Sequence, residues 1–243
     1  GSTVISDDSI VMTPTTGDTL AITSTTHGAS SIKTGDAAGT DAHITIDADG
    51  TVYLKNTTTT NAQVTSGGMT SLNKRTLWVP IANMVPAGTN GADEASVEYH
   101  ATDAGTLKKL KYDKTTAEFA DFSLVMPEQW DGGTMKAKFY WSSATSGGTT
   151  VWGIKSRGIG DGESFTGWGS EVTSNDTSTG ANALNISPST AAMTAGNVRT
   201  NIALLFFRVS RKVDSGSDDH DDDTRLIGVN IEYTEQLEPH TAF

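Results

Sequence analysis

The chain has 243 residues, with 17 Lys+Arg against 29 Asp+Glu, a formal charge of −12 and no cysteine. This excludes a disulfide scaffold, a Cys-ligated zinc or iron–sulfur site and a thiol nucleophile. It also argues against a broad nucleic-acid-binding surface, which needs clustered Lys and Arg. The longest apolar run, Ile202-Ala203-Leu204-Leu205-Phe206-Phe207, is far short of the roughly 20 residues of a membrane-spanning helix. The first residues have neither a basic residue nor an apolar run, so no secretory signal is expected there. Thr occurs 38 times and Gly 25 times. β-Branched Thr suits a pleated, half-buried surface and Gly supplies tight turns, so the composition predicts an all-β protein.

In chain order, residues 1–74 hold short patterned runs separated by Gly- and Asp-bearing turns: Ile10-Val11-Met12, Leu20-Ala21-Ile22-Thr23 and Ile44-Thr45-Ile46. Thr16-Gly17-Asp18 recurs as Thr34-Gly35-Asp36, a weak internal repeat. Alternating runs on both sides of Asp49-Gly50 predict a β-hairpin over 44–54. So little apolar mass does not offset roughly 1–2 kcal/mol of ordering entropy per residue in an isolated monomer. That leaves a disordered arm or a fibrous stalk buried against copies of itself, and the alternation favours the stalk. Residues 56–71, rich in Thr, Ser and Gly, read as a linker.

From residue 75 onward the texture changes, and 75–243 reads as a second domain. It holds all five tryptophans, Trp78, Trp130, Trp141, Trp152 and Trp168. Phe122, Leu124 and Met126 alternate with Ser123 and Val125 until Pro127 ends the run. Met135, Ala137, Phe139 and Trp141 alternate with Lys136, Lys138, Tyr140 and Ser142, giving one apolar face. Val151-Trp152-Gly153-Ile154 follows a Gly-Gly turn, and the run 202–207, apolar on both faces, predicts a central strand. Ile227, Val229, Ile231 and Tyr233 alternate with Leu226, Gly228, Asn230 and Glu232. Spaced strands with turns between them predict a sandwich or jelly roll.

The segments Ala120-Asp121-Phe122-Ser123-Leu124-Val125-Met126-Pro127-Glu128-Gln129-Trp130-Asp131-Gly132-Gly133, Lys138-Phe139-Tyr140-Trp141, Val151-Trp152-Gly153 and Arg225-Leu226-Ile227-Gly228-Val229-Asn230-Ile231-Glu232-Tyr233 carry a resemblance. Over about residues 115–235 the chain resembles a domain of virion structural proteins of tailed bacteriophages. It is similar above all to fibre and head-associated proteins of phages that infect aquatic bacteria. The stretch Ala42-His43-Ile44-Thr45-Ile46-Asp47-Ala48-Asp49-Gly50 is similar to segments that precede that domain in phage fibres. The resemblance implies a jelly-roll-like β-sandwich, usually trimeric, preceded by an extended β-rich attachment arm or stalk. It supplies no catalytic motif.

Other chemistry is thin. Gly158-Ile159-Gly160-Asp161-Gly162 has glycines like a phosphate loop, but no helical pattern follows it, so it reads as a strand connection. The run 214–223 holds six aspartates, and Asp218, Asp221 and Asp223 are the candidates for a cation site. It lacks EF-hand spacing, and the plainer reading is a solvated loop. Five histidines are scattered without metal spacing. The acid pairs Glu128 with Asp131 and Asp161 with Glu163 sit in turns where acids are ordinary, so no hydrolase and no cofactor are expected. Trp130 and Trp168 fall in Gly-rich loops and are the candidate ligand-binding residues, whereas Trp141 and Trp152 sit in strand patterns and read as core.

The expectation is a non-enzymatic, trimeric virion protein: a fibre or spike on the particle surface that binds host glycan and attaches to other virion proteins through residues 1–74. The rival is a capsid decoration (cement) protein or head fibre whose N-terminal arm grips the capsid lattice.

Overall fold

The computed structural model describes residues 19–24, 30–35, 52–56, 59–65, 68–71, 73–98, 106–165, 167–197 and 204–235. The chain divides into two compact units, Gly1–Thr51 and Val52–Phe243. The first contains strands β1 (Thr19–Ser24) and β2 (Ser30–Gly35), paired antiparallel with Ile22 opposite Ile32. The hairpin turn expected at Asp49-Gly50 lies outside the described residues.

The second unit opens with a meander of β3 (Val52–Asn56), β4 (Thr59–Thr65) and β5 (Gly68–Ser71). The stretch read as a linker therefore contains two strands. Backbone pairing needs no large side chains, and the β-branched threonines that make this stretch look featureless suit extended backbone.

The remaining strands are β6 (Asn73–Pro80), β7 (Val85–Pro86), β8 (Asp93–Glu98), β9 (Thr106–Tyr112), β10 (Phe119–Leu124) and β11 (Lys136–Ser143), followed by β12 (Thr149–Ile159), β13 (Val172–Thr177), β14 (Asn185–Ile186), β15 (Leu204–Arg211) and β16 (Thr224–Glu235). They form an all-β sandwich. One sheet has the order β13-β12-β15-β10-β7, and the other β14-β11-β16-β9-β8 with β6 beside β16. From β10 onward the chain crosses repeatedly between the sheets, as in a jelly roll. As its two apolar faces predict, β15 lies at the centre of the five-stranded sheet.

Alternation decides which residues meet between the sheets. Met135, Ala137, Phe139 and Trp141 are buried on one side, and Phe122, Trp152, Ile154, Leu205, Phe207 and Val209 face them from the other. Trp152 is the hub, within 5.2 Å of Tyr112, 5.6 Å of Phe139 and 6.2 Å of Trp141, ring centre to ring centre. The last strand departs from simple alternation. Tyr140 pairs with Gly228 and Trp141 with Leu226, so Ile227 is the extra residue of a bulge. The bulge lets Leu226 and Val229, three residues apart, both point inward.

Asp113 organises the turn after β9. Its Oδ1 accepts from the Thr115 hydroxyl at 2.6 Å and from the Thr115 and Thr116 amides at 2.7 Å each. The Thr115 hydroxyl, then these amides, hold its carboxyl at about 2, below the ordinary 3.8. A depressed carboxylate stabilises the fold fully above its unfolded value and loses that contribution as pH falls through the folded one. Asp113→Asn is therefore expected to flatten the loss of stability between about pH 4 and 2, by on the order of 1 kcal/mol after solvent screening. Urea unfolding at stepped pH measures it, and parallel curves for the two proteins would count against this role.

Candidate functional site

The same alternation that buries Leu205, Phe207 and Val209 turns Phe206 and Arg208 outward on the five-stranded sheet. In register, Arg208 lies between Lys155 of β12 and Asp121 of β10, and Phe206 lies between Arg157 and Ser123. Arg208 grips Asp121 with two parallel bonds, Nε to Oδ1 and Nη2 to Oδ2, both 2.7 Å. This hydrogen-bonded pairing raises the Arg208 pKa and keeps the guanidinium charged.

The connection from β12 to β13 folds back over this face. Trp168 leans on Phe206, with ring centres 5.6 Å apart and planes at 32°. The Arg208 guanidinium stands 5.2 Å from the Trp168 ring centre and Lys155 Nζ 5.6 Å from it, distances at which a cation is attracted to the ring. Phe165, 70% exposed, meets Phe206 edge-on at 6.1 Å.

Backbone contacts fix the connection. Gly169 N and Gly196 N both donate to Ser156 O at 2.9 Å, and Gly158 N donates to Gly196 O at 2.8 Å. The two strand-flanking glycines touch: a Cβ on Gly196 would lie 2.5 Å from Gly169 N, so this approach requires glycine. Glu163 Oε2 accepts from Gly160 N at 3.0 Å and from Asn197 Nδ2 at 2.7 Å. Arg157, only 5% exposed, donates through Nη2 to Ser164 O at 2.5 Å and through Nη1 to Gly167 O at 3.3 Å.

Between these groups lies an open cleft of about 480 Å³, lined by Arg157, Glu163, Ser164, Gly167, Trp168, Gly196 and Asn197. The volume falls in the usual range for small-molecule sites, roughly 300–1,000 Å³. The cleft combines an indole wall, a guanidinium, a carboxylate and an amide, which suits a ligand with one apolar face and a polar rim.

The structure thus places Trp168, one of the two tryptophans singled out in the sequence, at a cleft. Trp130 is elsewhere. It is half-buried against the core and bridges to Glu235, with its Nε1 buried and lacking a partner among the described residues. Arg157, Phe206 and Arg208 carried no local signal beyond the outward phase of β12 and β15, and Asn197 carried none. Trp78 was not singled out either, yet it is 48% exposed on the outer face of the six-stranded sheet, edge-on to Tyr140 at 4.8 Å. Gly228 makes room beneath it, since a Cβ there would lie 2.4 Å from the indole.

The three aspartates considered for a cation site point to separate partners. Asp218 is clasped by Arg211, Asp221 pairs with Lys114 at 2.9 Å, and Asp223 pairs with Lys111 at 3.3 Å. Among the described residues no three acidic, His or Cys side chains converge on a metal-sized space. Nor is the run simply solvated, because Asp218 and His220 are buried. In the Gly158–Gly162 stretch, β12 ends at Ile159 and a turn follows, with no helix behind it among the described residues.

No protein-family model matches the chain, and no curated protein matches it in sequence. Among solved structures it is similar to the CBM22-1–GH10 modules of the Clostridium thermocellum xylanase 10B, complexed with xylohexaose (12% identity, TM-score 0.40). That match covers 67% of this chain and 28% of the xylanase chain. It is also similar to the family 11 carbohydrate-binding module of Clostridium thermocellum, in complex with a mixed-linked tetrasaccharide (14% identity, TM-score 0.37, 70% of this chain and 99% of that one). A third similar structure is the enzymatically active domain of tailspike protein 4 of bacteriophage CBA120 (13% identity, TM-score 0.32, 65% of this chain and 20% of that one). The ligands named there are those proteins' own.

Proposed function

We propose that this chain is a non-enzymatic glycan-binding protein of a tailed-phage particle, acting as a trimeric fibre or spike that contacts the host surface. The observation that carries the glycan reading is the Trp168 cleft. An indole braced by Phe206, Arg208 and Lys155 stands beside a cleft whose polar rim is formed by Arg157, Glu163, Ser164 and Asn197. The C–H face of a sugar ring packs on an aromatic ring, and its hydroxyls need donors and acceptors at the rim. The virion setting rests on the sequence resemblance of residues 115–235. Three copies would multiply weak sugar contacts, since linked sites raise apparent affinity by roughly 10²–10⁴.

Trp168→Ala is expected to weaken binding to susceptible cells, or to glycans extracted from them, at least about tenfold. The far-UV spectrum should stay unchanged. Trp78→Ala serves as the comparison, and a loss confined to that variant would move the ligand to the six-stranded sheet. Retention of the protein on purified capsids, with no binding to cells at saturating concentration, would favour a decoration protein instead.

A further inference from the structure

Two arginines are buried among the described residues, and they are satisfied differently. Arg211 meets the Asp218 carboxylate at 2.7 Å. Among the described residues Arg157 donates only to the neutral carbonyls of Ser164 and Gly167, and its buried Nε has no hydrogen-bond partner. A guanidinium has five N–H donors in a planar fork suited to a carboxylate. Burying that charge without an anion is costly, and a fold keeps such a group when something else offsets the cost. Arg157 lines the cleft beside Trp168.

We propose that the cleft selects acidic sugars, with Arg157 receiving the ligand's carboxylate while Trp168 packs against the ring. The inference deepens the glycan reading above and rests on it. Lys155 and Arg208 flank the same indole, so among the described residues three cations gather here against the carboxylates of Glu163 and Asp121. This is a locally positive patch on a chain of charge −12. At physiological ionic strength the acids elsewhere are screened beyond about 8 Å, so the patch and not the net charge governs the last step of binding. Glu163 does not displace a ligand carboxylate from Arg157, because its Oε2 is taken by the Gly160 amide and the Asn197 side chain.

The test uses the intact wild-type chain, titrated with oligogalacturonate, oligoglucuronate and oligosialate, each beside its carboxyl-reduced counterpart. Tryptophan fluorescence and calorimetry read the affinities. At least one acidic form is expected to bind about tenfold or more tightly than its reduced form. Arg157→Gln should bring the ratio of acidic to reduced affinity down to about one. Arg157→Lys keeps the charge but loses the fork, and should fall between that ratio and the wild type's. Because Arg157 is buried, the wild-type comparison stands by itself if either variant fails to fold. If every reduced form binds as well as its acidic parent, the acidic selectivity is overturned and the glycan reading stands. If no acidic, reduced or neutral glycan binds, both fall.

Discussion

Arg211→Met is expected to destabilise the protein by about 3–5 kcal/mol, the usual cost of leaving a buried charge without its partner. Arg211 is fully buried at the end of β15, and its guanidinium gathers the following acidic loop around itself. Nε and Nη2 contact Asp218 at 2.7–3.2 Å, Nη2 also reaches His220 O at 2.6 Å, and Nη1 reaches Asp222 O at 2.7 Å. The acids then tie the loop to its surroundings. Asp218 accepts from Val151 N at 2.9 Å, Asp219 from Thr149 N at 2.5 Å and Asp222 from Ala144 N at 3.1 Å. Removing the arginine therefore strands the Asp218 carboxylate and two backbone carbonyls together. For a chain of this size the loss corresponds to a fall in Tm of roughly 6–20 °C. Asp218→Asn should cost less, since the amide oxygen still accepts from Arg211 and Val151. An unchanged Tm in Arg211→Met would mean that the loop is held by something other than this pair.

Trp152→Ala should cost a similar amount, about 3–5 kcal/mol, through lost packing and the cavity left behind. Trp152 is fully buried and touches Tyr112, Phe139 and Trp141 of the opposite sheet, so its removal opens the space between the sheets at their centre. Trp152→Phe should keep most of the stability. The phenyl ring retains much of the contact, and the buried indole N–H, which has no partner among the described residues, disappears with the substitution. Denaturant unfolding of the three proteins at constant m-value gives the ranking, and equal losses for Ala and Phe would refute the packing argument. Trp152 also sits opposite Arg211 in register, so the Trp152→Ala and Arg211→Met losses should not add.

Much of the sandwich was legible because period-two burial leaves its mark directly on side chains. Met135 to Trp141, Phe122 to Met126 and Leu204 to Phe207 each took the role their pattern announced. Where the pattern failed, a local device intervened. The bulge at Ile227 exchanged the inward position from Ile227 to Leu226, and a single extra residue has no periodic signature. In 56–71 the strands were missed because their pairing is made by the backbone and their side chains are small and polar. The acidic run looked like a solvated turn because nothing in its composition reveals Arg211, whose role depends on the inward phase of a strand ending just before the run.

The candidate site was legible in one residue. Gly-rich neighbours marked Trp168 as a loop tryptophan, and they marked Trp130 equally. Only the packed structure separates them, since one loop lies over the outward phase of β12 and β15 while the other closes against the core.

Composition and alternation, by themselves, determined an all-β chain stabilised without cysteine, its central strand and most of its core faces. They also established that the net charge of −12 owes half its size to one run of six aspartates. Tertiary structure alone decided what those charges do: the run closes around one buried arginine, while a second, on the neighbouring strand, lines a cleft and donates to backbone carbonyls. Hydrophobic burial is written residue by residue in a sequence, whereas charge compensation depends on distance between segments that only folding brings together.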